Sequence, residues 1–208
     1  MKDFLAALAG ALLIIHGTLT IAESSTDLSV RGSITPSACA PSLSEGGQVD
    51  FGKIAAKDLS VDNSTKLPPV TLTLSVECEA DTLFALIGKD NRRGTAQAWV
   101  PDHFYGLGLI NGDEKLGSYE IGVFNPVADT LVYPLYSADQ GQTWLINSFG
   151  SYMGHNHWSA FGDSTTPKAL SHVTVDLRIS AMIAPTNGLT LTEEVPLDGS
   201  ATLDVIYL

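Results

Sequence analysis

Residues 70–78, Val-Thr-Leu-Thr-Leu-Ser-Val-Glu-Cys, alternate without a break. Val70, Leu72, Leu74, Val76 and Cys78 are apolar, while Thr71, Thr73, Ser75 and Glu77 are polar. Period two over β-branched and aliphatic residues predicts a strand with one buried face, and it puts Cys78 on that face at the core edge. The same alternation runs through 173–179 (Val-Thr-Val-Asp-Leu-Arg-Ile) and Ala201–Tyr207 (Ala-Thr-Leu-Asp-Val-Ile-Tyr). Shorter stretches predict strands over 28–34 (Leu28, Val30 and Ile34 around Gly32), 48–54, 82–87, 118–124 and 130–137. A turn over 138–142, Ala-Asp-Gln-Gly-Gln, returns the chain through 143–146. Pro126, Pro134, Pro185 and Pro196 are expected at edges or in loops. Residues 147–170 are rich in Gly, Ser, His and aromatics without a clear period, and read as a long loop or insertion. No long helix and no solenoid repeat appears after the N-terminal region. The fold class expected is all-β: an immunoglobulin-like sandwich with an enlarged middle insertion.

The N-terminus is patterned differently. Residues 4–15 form an apolar run broken only by small residues. It is shorter than the roughly 20 residues a membrane-spanning helix needs and has the length of a signal-peptide apolar segment. Lys2 and the amino terminus precede it with positive charge, partly opposed by Asp3, and Thr20-Ile21-Ala22 offers small residues for cleavage. Cleavage is expected between Ala22 and Glu23, so a signal-peptide helix (1–22) precedes one domain (23–208). A buried N-terminal helix or an uncleaved anchor is the alternative. No later stretch of the sequence is apolar and long enough to predict a membrane span. The mature chain is then expected to be exported from the cytoplasm.

Charge and cysteine content narrow the partners. With 23 acidic against 11 basic residues the formal net charge is −12, which disfavours nucleic acid and anionic lipid surfaces. The two cysteines, Cys39 and Cys78, are too far apart for a redox CxxC motif. In an exported chain they are expected to pair, and closing that loop stabilises the fold by roughly 4 kcal/mol on chain-entropy grounds. Two free buried thiols are the alternative.

Several segments resemble chaperone–usher pilins. Val30-Arg-Gly-Ser-Ile-Thr-Pro-Ser-Ala-Cys39 is similar to their first strand, which ends at a cysteine. Val49-Asp-Phe-Gly-Lys-Ile54 resembles the segment that follows, and 70–78 the second strand, whose cysteine pairs with the first. The alternating 201–207 strand with its Tyr207 is also pilin-like. In the middle, Tyr105-Gly-Leu-Gly108, Leu116-Gly-Ser-Tyr119 and Ser137-Ala-Asp-Gln-Gly-Gln-Thr-Trp144 resemble the GltF-like fimbria-associated family of unknown function. The resemblance implies a sandwich lacking its last strand. A periplasmic chaperone fills the groove first, and a strand from another fimbrial subunit fills it after passage through an usher. It further implies that Ala201, Leu203, Val205 and Tyr207 line the strand-addition site or chaperone contact. Leu208 would present a carboxylate to the chaperone. A closed sandwich, with 201–207 as its last core strand, remains the alternative. Only the polar residues 23–27 precede the strand expected at 28–34. Such a leader cannot fill apolar pockets, so the chain is expected to accept a strand rather than donate one, unless 28–34 is itself the donor.

Other chemistry has thinner support. His155 and His157, two apart, would share a face of a strand and hold Zn²⁺ or Cu²⁺, with Asp102, His103 or Asp163 as further ligands. A polar loop containing Tyr152 and Trp158 explains the same residues, so no metal and no cofactor is expected. Trp99, Tyr105, Trp144, Tyr152 and Trp158 raise a carbohydrate or surface-receptor site in 147–163, although core packing is the commoner use of such rings. No nucleophile elbow or triad context is present. Gly106-Leu-Gly108 lacks a dinucleotide-loop setting. The pairs Asp113-Glu114 and Glu193-Glu194 read as solvated charges. The chain is therefore expected to be no enzyme but a fimbrial or fimbria-associated structural or adhesion subunit. The alternative is a self-complete periplasmic or secreted binding module, of which a carbohydrate-binding domain is one form.

Overall fold

A computed structural model describes residues 29–30, 38–97, 100–101 and 103–208. The chain divides into two compact units, Met1–Ile34 and Thr35–Leu208. Of the first, only Ser29 and an exposed Val30 are described. The expected signal segment, the Ala22–Glu23 junction, Leu28 and Ile34 lie outside the described residues, as do Trp99 and Asp102.

Among its described residues the second unit is built from fourteen strands. In chain order they are β1 (Cys39–Leu43), β2 (Thr65–Lys66), β3 (Val70–Thr82), β4 (Phe84–Asp90), β5 (Tyr105–Gly106), β6 (Leu109–Ile110), β7 (Glu114–Lys115), β8 (Gly117–Ala128), β9 (Tyr133–Ser137), β10 (Leu145–Ile146), β11 (Ser151–Met153), β12 (Trp158–Gly162), β13 (Leu170–Ile183) and β14 (Ala201–Tyr207). One sheet runs β1-β3-β13-β8-β11, with β2 added to β13 and β5 to β8. The second runs β10-β9-β12-β4-β14, and β6-β7 is a separate hairpin. Helical structure among the described residues is limited to three short 3-10 turns, and none of it is long and apolar enough to cross a membrane.

The alternation predicted for β3 and β13 puts their apolar sides together. Val175 lies opposite Leu74 and Leu177 opposite Leu72. On the other flank Leu177 faces Val123 and Ile179 faces Ile121. All of these side chains are buried. Burying each fully is worth about 1.5–3 kcal/mol, so this three-strand block is the strongest part of the sandwich. The second sheet covers it with Phe84, Leu86 and Phe161, the two phenylalanines meeting edge to face at 6.4 Å.

Cys39 and Cys78 form the expected disulfide across β1 and β3. The Glu79 N–H donates to the Ala38 carbonyl at 3.1 Å, so the neighbouring Cys39–Cys78 pair occupies a non-hydrogen-bonded position, where side chains come closest. The same phase turns the backbone of Cys39, Pro41 and Leu43 toward the free side of β1. Pro41 therefore costs the ladder no donor.

The structure departs from the sequence reading in four places. Residues 48–54 form no strand; Gly52 takes φ +66°, and its N–H is held by the Asp50 carboxylate at 2.7 Å. Residues 147–170 are not a long loop, because they contain β11 and β12. β12 is nearly all buried: Phe161 faces the main core, while Ala160 joins Ala85 and Leu135 under Trp144 and Trp158 on the other side. With both faces covered there is no alternation to read. Pro126 lies within β8 at a bulge, where the register against β13 shifts, Asn125 adopts φ +48° and its amide donates to Asp176 at 2.7 Å. Pro134 lies inside β9 opposite Phe161, beside the two-residue β10.

Candidate functional site

β14 pairs with β4 along its whole length, from Ala201–Asp90 to Tyr207–Phe84. Among the described residues no strand pairs with its other side. The phase of the ladder is fixed at both ends: Asn91 N–H donates to the Ser200 carbonyl at 3.0 Å, and Leu208 N–H to the Leu83 carbonyl at 3.1 Å. Even-numbered residues therefore bond β4. The N–H and C=O groups of Ala201, Leu203, Val205 and Tyr207 point outward along a free edge. The side chains of Ala201, Leu203 and Val205 pack on the core yet stay half-exposed, as expected of core positions that lack a covering strand.

An apolar groove runs beside this edge in two continuous segments. The first, of about 260 Å³, has Leu72, Leu107, Tyr119, Ile121, Leu177 and Ile179 as its floor. Its walls are Ala201 and Leu203 on one side and Leu43, Val49 and Phe51 on the other. The second, of about 480 Å³, continues over Leu116 and Ile183, between Val49–Ile54 and Leu59 on one side and Leu191–Leu197 on the other. Val49, Phe51 and Leu197 line both. The floor is buried, whereas the apolar walls are only partly buried.

Each end of the groove is held differently. At one end the Cys39 N–H donates to the Tyr207 hydroxyl at 2.9 Å, joining the free sides of β1 and β14. At the other the mouth carries charge: Asp50, Lys53, Glu193 and Glu194, with Lys53 Nζ 3.0 Å from Glu194 Oε2 across the opening. The wall from 189 to 199 is irregular backbone and is pinned by side chains. Glu114 accepts the Thr190 N–H at 2.6 Å and the Thr190 hydroxyl at 2.8 Å, and Asn111 donates to it at 3.1 Å. These bonds, the Thr190 N–H first, hold the Glu114 carboxyl below its usual range. Arg92 grips Asp198 with two bonds, at 2.9 and 2.7 Å, which lowers that carboxyl in turn. A Cβ on Gly199 would stand 2.9 Å from the Tyr119 ring, so the wall crosses the groove floor closely there.

Three of the residues expected to line a strand-addition site (Ala201, Leu203 and Val205) thus share the free edge, and Tyr207 closes its end. Leu208 is half-exposed, with its amide in the ladder. The other apolar lining residues, Val49, Phe51, Leu191, Val195 and Leu197, were missed as a site. Their signal was the apolar spacing of two at 49/51, 189/191 and 195/197.

The two histidines considered for a metal are placed apart. His155 and Asn156 occupy the tip of a tight turn closed by mutual backbone bonds of 3.1 Å between Gly154 and His157. His155 and His157 therefore do not share a strand face. His155 meets Arg93 at 2.9 Å, while His157 stacks on Tyr136 and meets the edge of His103. Asp163 pairs with Lys168 at 2.7 Å. No group of three His, Cys, Asp or Glu with metal-holding geometry occurs among the described residues. The aromatic residues split as well. Tyr105 is fully buried and donates to the Met153 carbonyl at 3.0 Å, so it offers no face to a sugar. Trp144 and Trp158 pack over Ala85, Leu135 and Ala160. Tyr152 remains partly exposed, stacked on His103.

Comparison with known proteins gives the following. A family model described as "Protein of unknown function (DUF1120)" matches residues 28–103. Protein GltF of Escherichia coli (strain K12) is 30% identical over 250 aligned positions, taking in 100% of this chain and 98% of GltF. The uncharacterized protein YhcF of the same strain is 25% identical over 235 positions, covering 94% of this chain and 98% of YhcF. Among solved structures, the P pilus rod subunit PapA is similar with a TM-score of 0.36 at 11% identity, over 81% of this chain and 99% of PapA. A chain of another chaperone–usher pilus gives 0.33 at 12% identity, over 91% and 99%.

Proposed function

The chain belongs to the GltF family, and we propose that it serves there as an exported, fimbrial-type structural subunit that accepts a β-strand along Ala201–Tyr207. The observation that carries this reading is the outward edge of β14 beside the apolar groove. An unpaired edge offers N–H and C=O groups that pair with any incoming strand, and a protein manages such an edge by covering it. Here the groove beside the edge is apolar, so an added strand gains twice. Its backbone bonds β14, and its alternate side chains bury against Leu203, Val49 and Phe51. The occupants that fit are a periplasmic chaperone before assembly and a neighbouring subunit afterwards.

The test is expression of residues 23–208 in an oxidising compartment, with and without a synthetic ten-residue peptide of alternating apolar residues. Strand acceptance predicts that the protein alone aggregates or is degraded, and that the peptide binds it and raises its thermal midpoint. A stable monomer indifferent to every such peptide would establish a closed, self-complete module instead.

A further inference from the structure

The mouth of the groove at its 193–194 end is negatively charged. Asp50, Glu193 and Glu194 stand there against one cation, Lys53. Lys53 is already paired with Glu194, and Asp50 holds the Gly52 N–H. Among the described residues Glu193 has no ion-pair partner, and it is exposed at the rim. The floor beneath is apolar, with Leu116 and Ile183 buried. A segment lying in the groove therefore passes from an apolar channel beside Leu203 to an acidic lip beyond Val195.

We infer that the strand accepted by this groove carries a lysine or arginine at the end that reaches Glu193 and Glu194, next to its apolar alternation. This rests on the strand-accepting reading and deepens it, because it states the chemistry of the partner. An acidic residue at that end would face two like charges, and a basic one would find Glu193 ready to pair. Complementary rim charges of this kind select among partners and orient them more than they add affinity. The lip also sets polarity along the groove: an apolar strand alone fits either way round, whereas a strand with one basic end is placed by it.

Three peptides sharing one alternating apolar decamer, ended by two lysines, two serines or two glutamates, separate the possibilities by calorimetric titration of the oxidised full chain. The lysine peptide is expected to bind about three- to tenfold more tightly than the glutamate peptide at low salt, since exposed pairs are individually weak. The preference should shrink in about 0.5 M salt and in the double variant E193Q/E194Q, with circular dichroism confirming that the variant is folded. Equal binding of all three peptides to the wild-type chain overturns the inference and leaves strand acceptance standing. A lysine preference that persists in the double variant also overturns it, because the base is then read elsewhere. Binding of none of the three overturns strand acceptance itself and the inference with it.

Discussion

The backbone amide of Cys39 donates a 2.9 Å hydrogen bond to the side-chain hydroxyl of Tyr207, across 168 residues of sequence. Cys39 has no other use for that N–H, since its position in the β1–β3 ladder faces it away from β3. The hydroxyl thereby ties the disulfide-bearing end of one sheet to the free edge of the other. Tyr207→Phe keeps the ring and removes the bond. It should cost about 0.5–1.5 kcal/mol in urea unfolding, near the lower figure because the site is partly exposed.

The disulfide itself is expected to matter more. Its sequence separation of 39 residues implies about 4 kcal/mol of stabilisation on chain-entropy grounds. The C39S/C78S double variant should unfold at correspondingly lower denaturant. The single variant C78S should behave similarly, since either change opens the loop.

Proline placed along β14 tests the phase of its ladder. The Val205 N–H points to the free edge and the Asp204 N–H to β4. Val205→Pro should leave a folded protein, with an intact near-ultraviolet spectrum, that binds an alternating apolar peptide at least about tenfold more weakly; it loses an edge donor and part of an apolar contact. Asp204→Pro should break the sheet and lower the unfolding midpoint. Equal damage from both would show that the edge is already paired.

Gly88 is an internal check on packing. A Cβ there would lie 1.9 Å from the Tyr105 hydroxyl oxygen. That tyrosine is 1% exposed and is held by the Met153 carbonyl. Gly88→Ala should cost about 1–3 kcal/mol. Tyr105→Phe should cost about 1 kcal/mol for the lost hydrogen bond. The double variant should cost less than the two together, because the colliding oxygen is gone.

Acid should weaken the fold through its turns. The Thr143 hydroxyl, then the Thr143 N–H and the Ser137 hydroxyl, hold the Asp139 carboxyl down at about 2. Glu114, Asp129, Asp163 and Asp198 are lowered as well. A carboxyl whose folded pKa lies below its unfolded value stabilises the protein above the unfolded value, about pH 4, and that contribution fades as pH falls through the folded one. Thermal midpoints should therefore hold from pH 7 to about 4.5 and fall toward pH 2. Asp139→Asn should flatten part of that fall.

What the sequence made legible follows from which faces are buried. The strands at 70–78, 173–179 and 201–207 alternate because each buries one side, and the all-β sandwich followed from them, while the disulfide followed from two cysteines in a chain read as exported. β12 was invisible because Ala160 and Phe161 are buried on opposite faces, and β11 because three residues are too few to show a period. Residues 48–54 mislead in the other direction. Val49 and Phe51 do alternate, but they line a groove and pair with no strand. Period two reports a one-sided environment, and a ladder is only one way to make it. The 201–207 side of the groove was legible from its own alternation. The rest of the lining was not, because its apolar residues come from two segments more than a hundred positions apart, 49–59 and 191–197, which face each other across the groove.

The pairing of β4 with β14 has a kinetic consequence. Asn91 and Thr202 bond across 111 residues, whereas the two cysteines are 39 apart. Loop closure over the longer span is entropically dearer and slower, and topologies dominated by such contacts fold late. The cysteine loop can close while the rest of the chain is still unstructured. The edge at Ala201–Tyr207 exists only once β14 has paired with β4. The free edge of β14 therefore belongs to a later part of folding than the disulfide loop, which sets the order in which the two features of the sandwich arise.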